Sequence, residues 1–316
     1  MISGWTPSIG AAQMTYSKFG AKTFLHSARL ALFLLIAAGL QIYSAGAQTV
    51  KNTVELKVTD SRPVAAAVQE LVSRYGYVIT YEDPRHVYEG DLEDVTTKVR
   101  KDLNRYPPGK APKVFVPMDA TLTLNVPSST AVTDQDMTSI LEQLVQTQSR
   151  SGRGGHFRVE KVGEVFHVLP TSARDRDGNW ADQPSILEVP ISLTMEDRSA
   201  DGMINAICNA VGAAAHVKVG LGFSVGGLSD PSRPRPYRLG ADNERARDVL
   251  TRALNLLDKS QKLTFVLFYD PSENENMYFL TIENVPNRSS SPVATSVPTT
   301  SAGSSLSGTS VSPPQK

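Results

Sequence analysis

The pattern of apolar and polar residues over residues 54–84 predicts a strand, a helix and a second strand. Apolar and polar residues alternate over Val54–Thr59, as in a half-buried strand. Apolar residues then recur at helical spacing from Val64 to Tyr75, and Gly76 is expected to end the helix in the left-handed conformation. Tyr77–Tyr81 reads as the returning strand, and Asp83-Pro84 is typical of a turn.

A second unit of the same kind follows. Leu122–Val126 alternates as a strand, and Thr133 with Asp136 predicts a capping box at the start of a helix. The apolar face of that helix runs from Met137 to Val145, and a hairpin turning at Val162-Gly163 follows it. Between the two units, residues 85–113 predict only a short helix, and Val114–Val116 a short strand.

The second half of the chain repeats this order. The predicted elements are a strand within Ile186–Leu193, a helix over Met203–Val211, a strand at Val217 and Val219, a helix over Ala246–Leu257 capped by Asp242 or Asn243, and a hairpin over Leu263–Ile282. One strand in each half ends similarly, in Tyr81-Glu82-Asp83-Pro84 and in Tyr269-Asp270-Pro271. The repetition indicates two domains of similar plan.

The predicted fold class is therefore α+β, with two tandem domains built from βαβ-type units. Each domain is expected to pack two helices on small sheets. The predicted domains are residues 48–170 and 186–286, joined by a charged, turn-rich linker at 171–185. Residues 287–316 consist almost entirely of Ser, Thr, Pro, Ala, Gly and Val, a composition that predicts a disordered tail.

Residues 1–47 have the layout of a secretory signal peptide. Three basic residues precede the apolar run Leu30–Leu40, and Ala45 and Ala47 supply the small residues of a cleavage site before Gln48. The run is shorter than the ~20 residues of a spanning helix, so we expect export without a membrane span after cleavage. The predicted location is the periplasm or the medium. Translation could begin at Met1 or at Met14, which gives a leader of more usual length.

Export changes the charge balance and the role of cysteine. Loss of Lys18, Lys22 and Arg29 would leave 29 Lys+Arg residues against 32 Asp+Glu residues. A weakly acidic chain lacks the basic footprint of a nucleic-acid-binding protein. Cys208 is the one cysteine, so no intramolecular disulfide can form, and its position on an apolar helix face predicts a buried hydrophobe.

The candidate chemical motifs all have plainer explanations. Gly222–Gly226 fits the G-x-S-x-G nucleophile elbow, but neither the required helix nor a later histidine follows it. Asp175, Asp177 and Asn179 share the spacing of half a calcium loop, which an ordinary Asp-Gly turn also explains. The histidines lack zinc-site spacing. We therefore expect no catalytic, metal or cofactor-binding residues, no cofactor, and no enzyme activity.

The hairpin Leu263–Ile282 supplies a candidate contact surface. If Tyr269 faces Tyr278, one side of the hairpin covers the helix of residues 249–257. The opposite side then carries Val266, Phe268, Met277 and Phe279, whereas the solvated side of a sheet is normally polar. An apolar outer side predicts a second packing partner. This partner is either the first domain or a neighbouring loop of the same chain, or else another protein or a second copy.

The order of elements in residues 54–169 resembles the STN domain, the short N-terminal module of secretins and TonB-dependent receptors. The resemblance extends less clearly to residues 186–286, which would make two tandem STN-like copies. The resemblance rests on Val54–Pro84, Leu122–Val126, the helix at Met137–Val145 and the hairpin to Leu169. It implies two helices between two small sheets and a non-catalytic role in binding envelope proteins. Neither an outer-membrane barrel nor a secretin pore follows, so the signalling and secretion roles do not carry over.

The sequence thus predicts an exported protein–protein interaction module of the bacterial cell envelope, with an envelope protein or a second copy of the chain as partner. A periplasmic protein that binds a small ligand or a cell-wall glycan is the alternative, and an uncharacterised hydrolase is third. Exposed aromatic residues lining a groove would favour a glycan-binding protein, and clustered ionisable groups with perturbed pKa values would favour an enzyme.

Overall fold

A computed structural model describes residues 52–222, 236–257, 262–272 and 276–287 of the chain. The first lobe, residues 52–182, contains eight strands and three helices in chain order: β1 Thr53–Asp60, α1 Pro63–Tyr75, β2 Val78–Glu82, β3 Leu92–Asp94, α2 Thr96–Val99, β4 Phe115–Pro117, β5 Ala120–Pro127, α3 Asp134–Ser151, β6 His156–Val162, β7 Val165–Arg174 and β8 Trp180–Asp182. The mixture of helices and sheets confirms the predicted α+β class.

Local sequence signals account for the helices of the first lobe. Gly76 ends α1 in the left-handed conformation, with φ 62°, and its amide donates to the Val72 carbonyl. Helix α3 begins with the predicted capping box, in which Thr133 and Asp136 satisfy each other's backbone amides. Both helices pack between two small sheets, the pair β1–β5 and the strands β2, β7 and β6.

The second lobe, residues 186–287, repeats this arrangement. Its elements are β9 Pro190–Arg198, α4 Ala200–Ala215, β10 Lys218–Leu221, β11 Tyr237–Arg245, α5 Ala246–Leu257, β12 Lys262–Asp270 and β13 Met277–Val285. Strand β9 pairs antiparallel with β11, as β1 pairs with β5, and β10 lies parallel to β13, as β2 lies parallel to β7. The two lobes therefore share one order of elements and one pattern of strand pairing.

One sheet of seven strands runs through both lobes. Its order is β10-β13-β12-β2-β7-β6, with β8 beside β7. Val266 of β12 lies beside Tyr81 of β2, and both belong to the core under α1 and α3. Their neighbours Leu267 and Glu82 point to the opposite side, where Leu267 belongs to the core under α4 and α5. The helices of the two lobes thus pack on opposite faces of the shared sheet.

This shared sheet differs from the predicted pair of domains joined by a linker at 171–185. Residues 171–174 continue strand β7, and β8 pairs back onto it across a turn at Gly178. Asp175 stabilises that turn because its carboxylate accepts from the amides of Asp177 and Asn179. The charged and turn-forming residues suggested a linker, but they close a hairpin.

Two further details differ from the sequence interpretation. Helix α5 begins at Ala246 rather than after a cap at Asp242 or Asn243, because β11 continues to Arg245 in pairing with β9. The helix predicted between residues 85 and 113 is the four-residue α2, accompanied by the small β3–β4 ladder. No helix in the described part of the chain has the length and apolar character needed to cross a membrane.

Candidate functional site

The two lobes are joined where β12 lies parallel to β2. The register places Glu82 beside Leu267, and the amide of Asp83 donates to the Leu267 carbonyl over 2.8 Å. The Thr264 hydroxyl donates to the Ile79 carbonyl over 2.5 Å. One lobe therefore adds a strand to the sheet edge of the other, the geometry by which many proteins bind extended segments of their partners.

A buried ion pair fixes this junction. The carboxylate of Asp83 accepts from Arg62 Nε over 2.5 Å, from the Tyr81 hydroxyl over 2.7 Å and from the Tyr269 amide over 3.1 Å. Arg62 also donates to the Tyr269 carbonyl over 2.7 Å. Burial alone would raise the pKa of Asp83, but the charge of Arg62 and the nearby His86 outweigh it and lower the pKa to about 2. The carboxylate therefore stays charged and ties the ends of β2 and β12 together.

The neighbouring carboxyl group of Glu82 points to the other face of the sheet and holds the start of the second lobe. It accepts from the Ser185 hydroxyl over 2.5 Å and from the Ile186 amide over 2.7 Å. Burial raises the pKa of Glu82 to about 7, and the hydrogen bonds from Ser185 and the backbone offset only part of that effect. The pKa of Glu82 therefore lies near neutral pH, whereas that of Asp83 lies far below it.

A second charged cluster connects β6 with α5. The fully buried Arg247 side chain donates to Glu160 over 2.8 and 3.1 Å and lies 3.1 Å from Glu188. His167 lies on the same face of the sheet, 2.8 Å from the Thr80 hydroxyl. Burial and the charge of Arg247 lower the pKa of His167 to about 4. Glu160 pairs with Arg247 across the lobes, and His167 is hydrogen-bonded to Thr80 within the first lobe, so the lowered pKa of His167 has a structural explanation.

The sequence interpretation missed both clusters. It assigned Asp83 to an ordinary turn and gave the adjacent Glu82 no structural role, whereas both are buried within the lobe junction. The signal that could have revealed them was the similar ending of β2 and β12, in Tyr81–Pro84 and Tyr269–Pro271, since parallel neighbours bring such endings to the same edge of a sheet.

The predicted hairpin register is confirmed. Tyr269 lies opposite Tyr278, Leu267 opposite Leu280 and Phe265 opposite Ile282. All six side chains are buried in the core of the second lobe, together with residues of α4 and α5.

The four candidate contact residues on the outer side of the hairpin have separate environments. Val266 is only 1% exposed and belongs to the core of the first lobe, so it is not a surface residue. Phe268 is half-buried, with its ring 5.0 Å from the guanidinium carbon of Arg62. Met277 and Phe279 are half-buried on the neighbouring strand β13, where Phe279 lies opposite Phe268. For Val266 and Phe268 the second packing partner is thus the first lobe, whereas Met277 and Phe279 lie next to the edge strand β10.

The two lobes can be aligned residue by residue from the ends of their first helices. Gly76 and His216 both adopt the left-handed conformation there. Three residues later Ile79 pairs with Phe166, and Val219 pairs with Tyr278. By this alignment Tyr81 of β2 corresponds to Leu221 of β10.

The alignment shows that β10 occupies the position in the second lobe that β2 occupies in the first. Strand β2 has β12 on its outer side, whereas no strand among the described residues pairs with the outer side of β10. The side chains of Met277 and Phe279 lie close to the backbone of this strand. If Gly220 carried a Cβ atom, that atom would lie 3.2 Å from Met277 Cε and 3.5 Å from the Phe279 ring. We define the edge surface as Val219, Leu221, Met277 and Phe279.

Other groups considered for chemistry have structural roles. Cys208 is buried as predicted, and burial raises the pKa of its thiol to about 12. No group of three or more metal-binding side chains occurs within the ranges that the structure describes. Residues 223–226 of the G-x-S-x-G motif lie outside the described residues, as do Ala45, Ala47 and Gln48 of the predicted cleavage site.

The one exposed aromatic side chain in the described ranges is Trp180, at 40%. The ring of His156 is stacked on it at 4.0 Å. A single indole with one covered face differs from the row of exposed aromatic rings expected of a glycan-binding groove.

The features that bear on function are the arrangement of strands, the buried charges at the junction and the apolar residues beside β10. Comparison with known proteins gave no match to a family model, to a curated protein or to a solved structure.

Proposed function

We propose that the protein is an exported, non-catalytic interaction module of the bacterial cell envelope that binds a partner protein at the edge surface. In each lobe two helices pack between a two-stranded sheet and part of the shared seven-stranded sheet. This arrangement is similar to the two helices between two small sheets that the resemblance to STN domains implies, and it supports the assignment. The proposed location is the periplasm or the medium, as the leader predicts.

The observation that carries the proposal is the difference between the two equivalent sheet edges. In the first lobe strand β2 is covered by β12. Of the adjoining side chains on β7, His167 is buried and Val165 is half-buried. In the second lobe the corresponding strand β10 ends the described sheet, and Met277 and Phe279 take the places of Val165 and His167. Apolar side chains beside a strand whose outer side is left unpaired by the described part of the chain are typical of surfaces that bind another protein.

The experiment is a pull-down from envelope extract with the mature protein as bait. Met277→Asp combined with Phe279→Asp places two charges on the edge surface, so capture of the partner should fall to background. The matched control is Met195→Asp with Leu256→Asp, which charges two exposed apolar residues elsewhere in the second lobe. The control should capture the same proteins as the wild type.

Circular dichroism checks that both variants are folded. If the double variant at Met277 and Phe279 does not fold, Met277→Asp alone is the test, since Met277 is the first residue of β13. A folded edge-surface variant that retains every partner of the wild type would show that the proposal is wrong.

A further inference from the structure

The junction between the lobes shows what kind of strand this fold accepts at such an edge. Strand β12 lies parallel to β2 and directs Val266 and Phe268 toward the first lobe. Val266 is buried in the core beneath α1, and the ring of Phe268 lies 6.3 Å from that of Tyr81. The accepted strand thus contributes two apolar side chains, two residues apart, to the core of the lobe that receives it.

Strand β10 offers the equivalent receiving groups. Val219 and Leu221 correspond to Ile79 and Tyr81, and both are half-buried against the second core. The amide of Gly222 donates inward to the Leu280 carbonyl. Since amides alternate in direction along a strand, those of Val219 and Leu221 point away from β13, toward an added strand.

In a second copy of the chain, neither of the two described strands that match β12 in position is suited to pair with β10. Its β12 is already paired with β2. The first-lobe strand that corresponds to β12 is β6. The hairpin registers align Arg158 and Glu160 of β6 with Val266 and Phe268 of β12. Pairing β6 with β10 would bury these charges, which already form ion pairs with each other and with Arg247. Inward-pointing charges of this kind are a known protection of edge strands.

We infer that the edge surface binds an extended strand of a different protein, added parallel to β10 and carrying apolar side chains at two alternate positions, as β12 does at β2. This inference rests on the proposed function and names the chemistry of the partner. The body of the partner would then cover Met277 and Phe279.

The test uses the strand that the chain itself presents to β2. The probe is a fluorescent synthetic peptide with the sequence of residues 262–271 and a solubilising Lys tail, titrated with the mature protein and followed by anisotropy. The matched control peptide carries Val266→Arg and Phe268→Glu, the residues of β6. We expect the probe to bind and the control peptide to bind about tenfold more weakly or worse, because two apolar side chains are replaced by charged ones.

The site of binding is tested on the protein. Leu221→Pro removes an outward amide at a position where an edge strand tolerates proline, so it should abolish probe binding with an unchanged circular dichroism spectrum. If this variant does not fold, a photoreactive group on the probe locates the site in the wild type. Crosslinks within residues 218–222 support the inference, and crosslinks within residues 78–82 overturn it.

Absence of probe binding, equal binding of the two peptides, or association of the wild-type chain with itself in light scattering would each overturn the inference. The proposed function fails separately. If the probe does not bind but capture of an envelope protein still depends on Met277 and Phe279, only the strand chemistry is wrong. If capture is also independent of these residues, the proposed function fails too.

Discussion

Replacing Glu82 with Gln should make the protein more stable above neutral pH. The carboxyl group of Glu82 is fully buried at the lobe junction, and burial raises its pKa from 4.5 to about 7. At pH 8 the folded state must therefore hold a carboxylate in a site that favours the neutral acid. A glutamine can still accept from the Ile186 amide and can donate to the Ser185 hydroxyl, so the neutral variant keeps both contacts.

The sign and size of the effect follow from proton linkage. Because the folded-state pKa is raised, the stability gained by protonating Glu82 is fully present below about pH 4.5 and is lost as the pH rises through about 7. One pKa unit corresponds to about 1.4 kcal/mol, so the shift amounts to about 3 kcal/mol. Glu82→Gln should then exceed the wild type in unfolding free energy by up to about 3 kcal/mol at pH 8, with the difference closing near pH 5.

The assay is urea unfolding at four pH values between 5 and 8, followed by far-ultraviolet circular dichroism. Subtracting the wild-type free energy from that of the variant removes the contributions of groups common to both, including His167 and Asp83. Glu164→Gln is the exposed control and should show no pH-dependent difference. A Glu82→Gln variant that is less stable than the wild type at pH 8, or a difference that does not change with pH, would refute the reasoning.

Three further predictions concern the junction, the cysteine and the leader. Arg62→Met should lower the unfolding free energy by roughly 3–5 kcal/mol in urea titrations, since it leaves Asp83 buried without its partner. Adding Asp83→Asn should restore part of the loss. Equal stability of the Arg62→Met variant and the wild type would contradict this prediction. Cys208 should react slowly with a thiol reagent in the native protein and rapidly in urea, because burial raises the pKa of its thiol to about 12; fast native labelling would reopen a functional role. Exported protein should begin at Gln48 by N-terminal sequencing, and an intact leader would overturn the prediction of a protein released into the periplasm or the medium.

Local patterns were sufficient to predict most of the elements. The glycine that ends α1 and the capping box of α3 act within a single helical turn, so their consequences can be read from neighbouring residues. The register of β12 on β13 also followed from the sequence, because a slip of one residue would move every apolar side chain to the wrong face.

The pairing of β2 with β12 was not predictable in the same way. The two strands are far apart in the sequence, and their contact depends on how complete lobes pack. The burial of Glu82 and Asp83 follows from that pairing. The turn-forming pair Asp83-Pro84 therefore suggested an exposed turn at a position that is buried in the structure. Val266 was assigned to a contact surface for the same reason: alternation shows which side of the hairpin it occupies but not that the first lobe covers it.

The most direct test of the central claim is amide hydrogen exchange at the edge strand β10. Exchange of the Val219 and Leu221 amides would be measured in the mature protein alone and in the complex recovered from envelope extract. Both amides point away from β13, so an added strand should slow their exchange by about tenfold or more. Unchanged exchange at both positions with the partner bound would contradict binding at this edge.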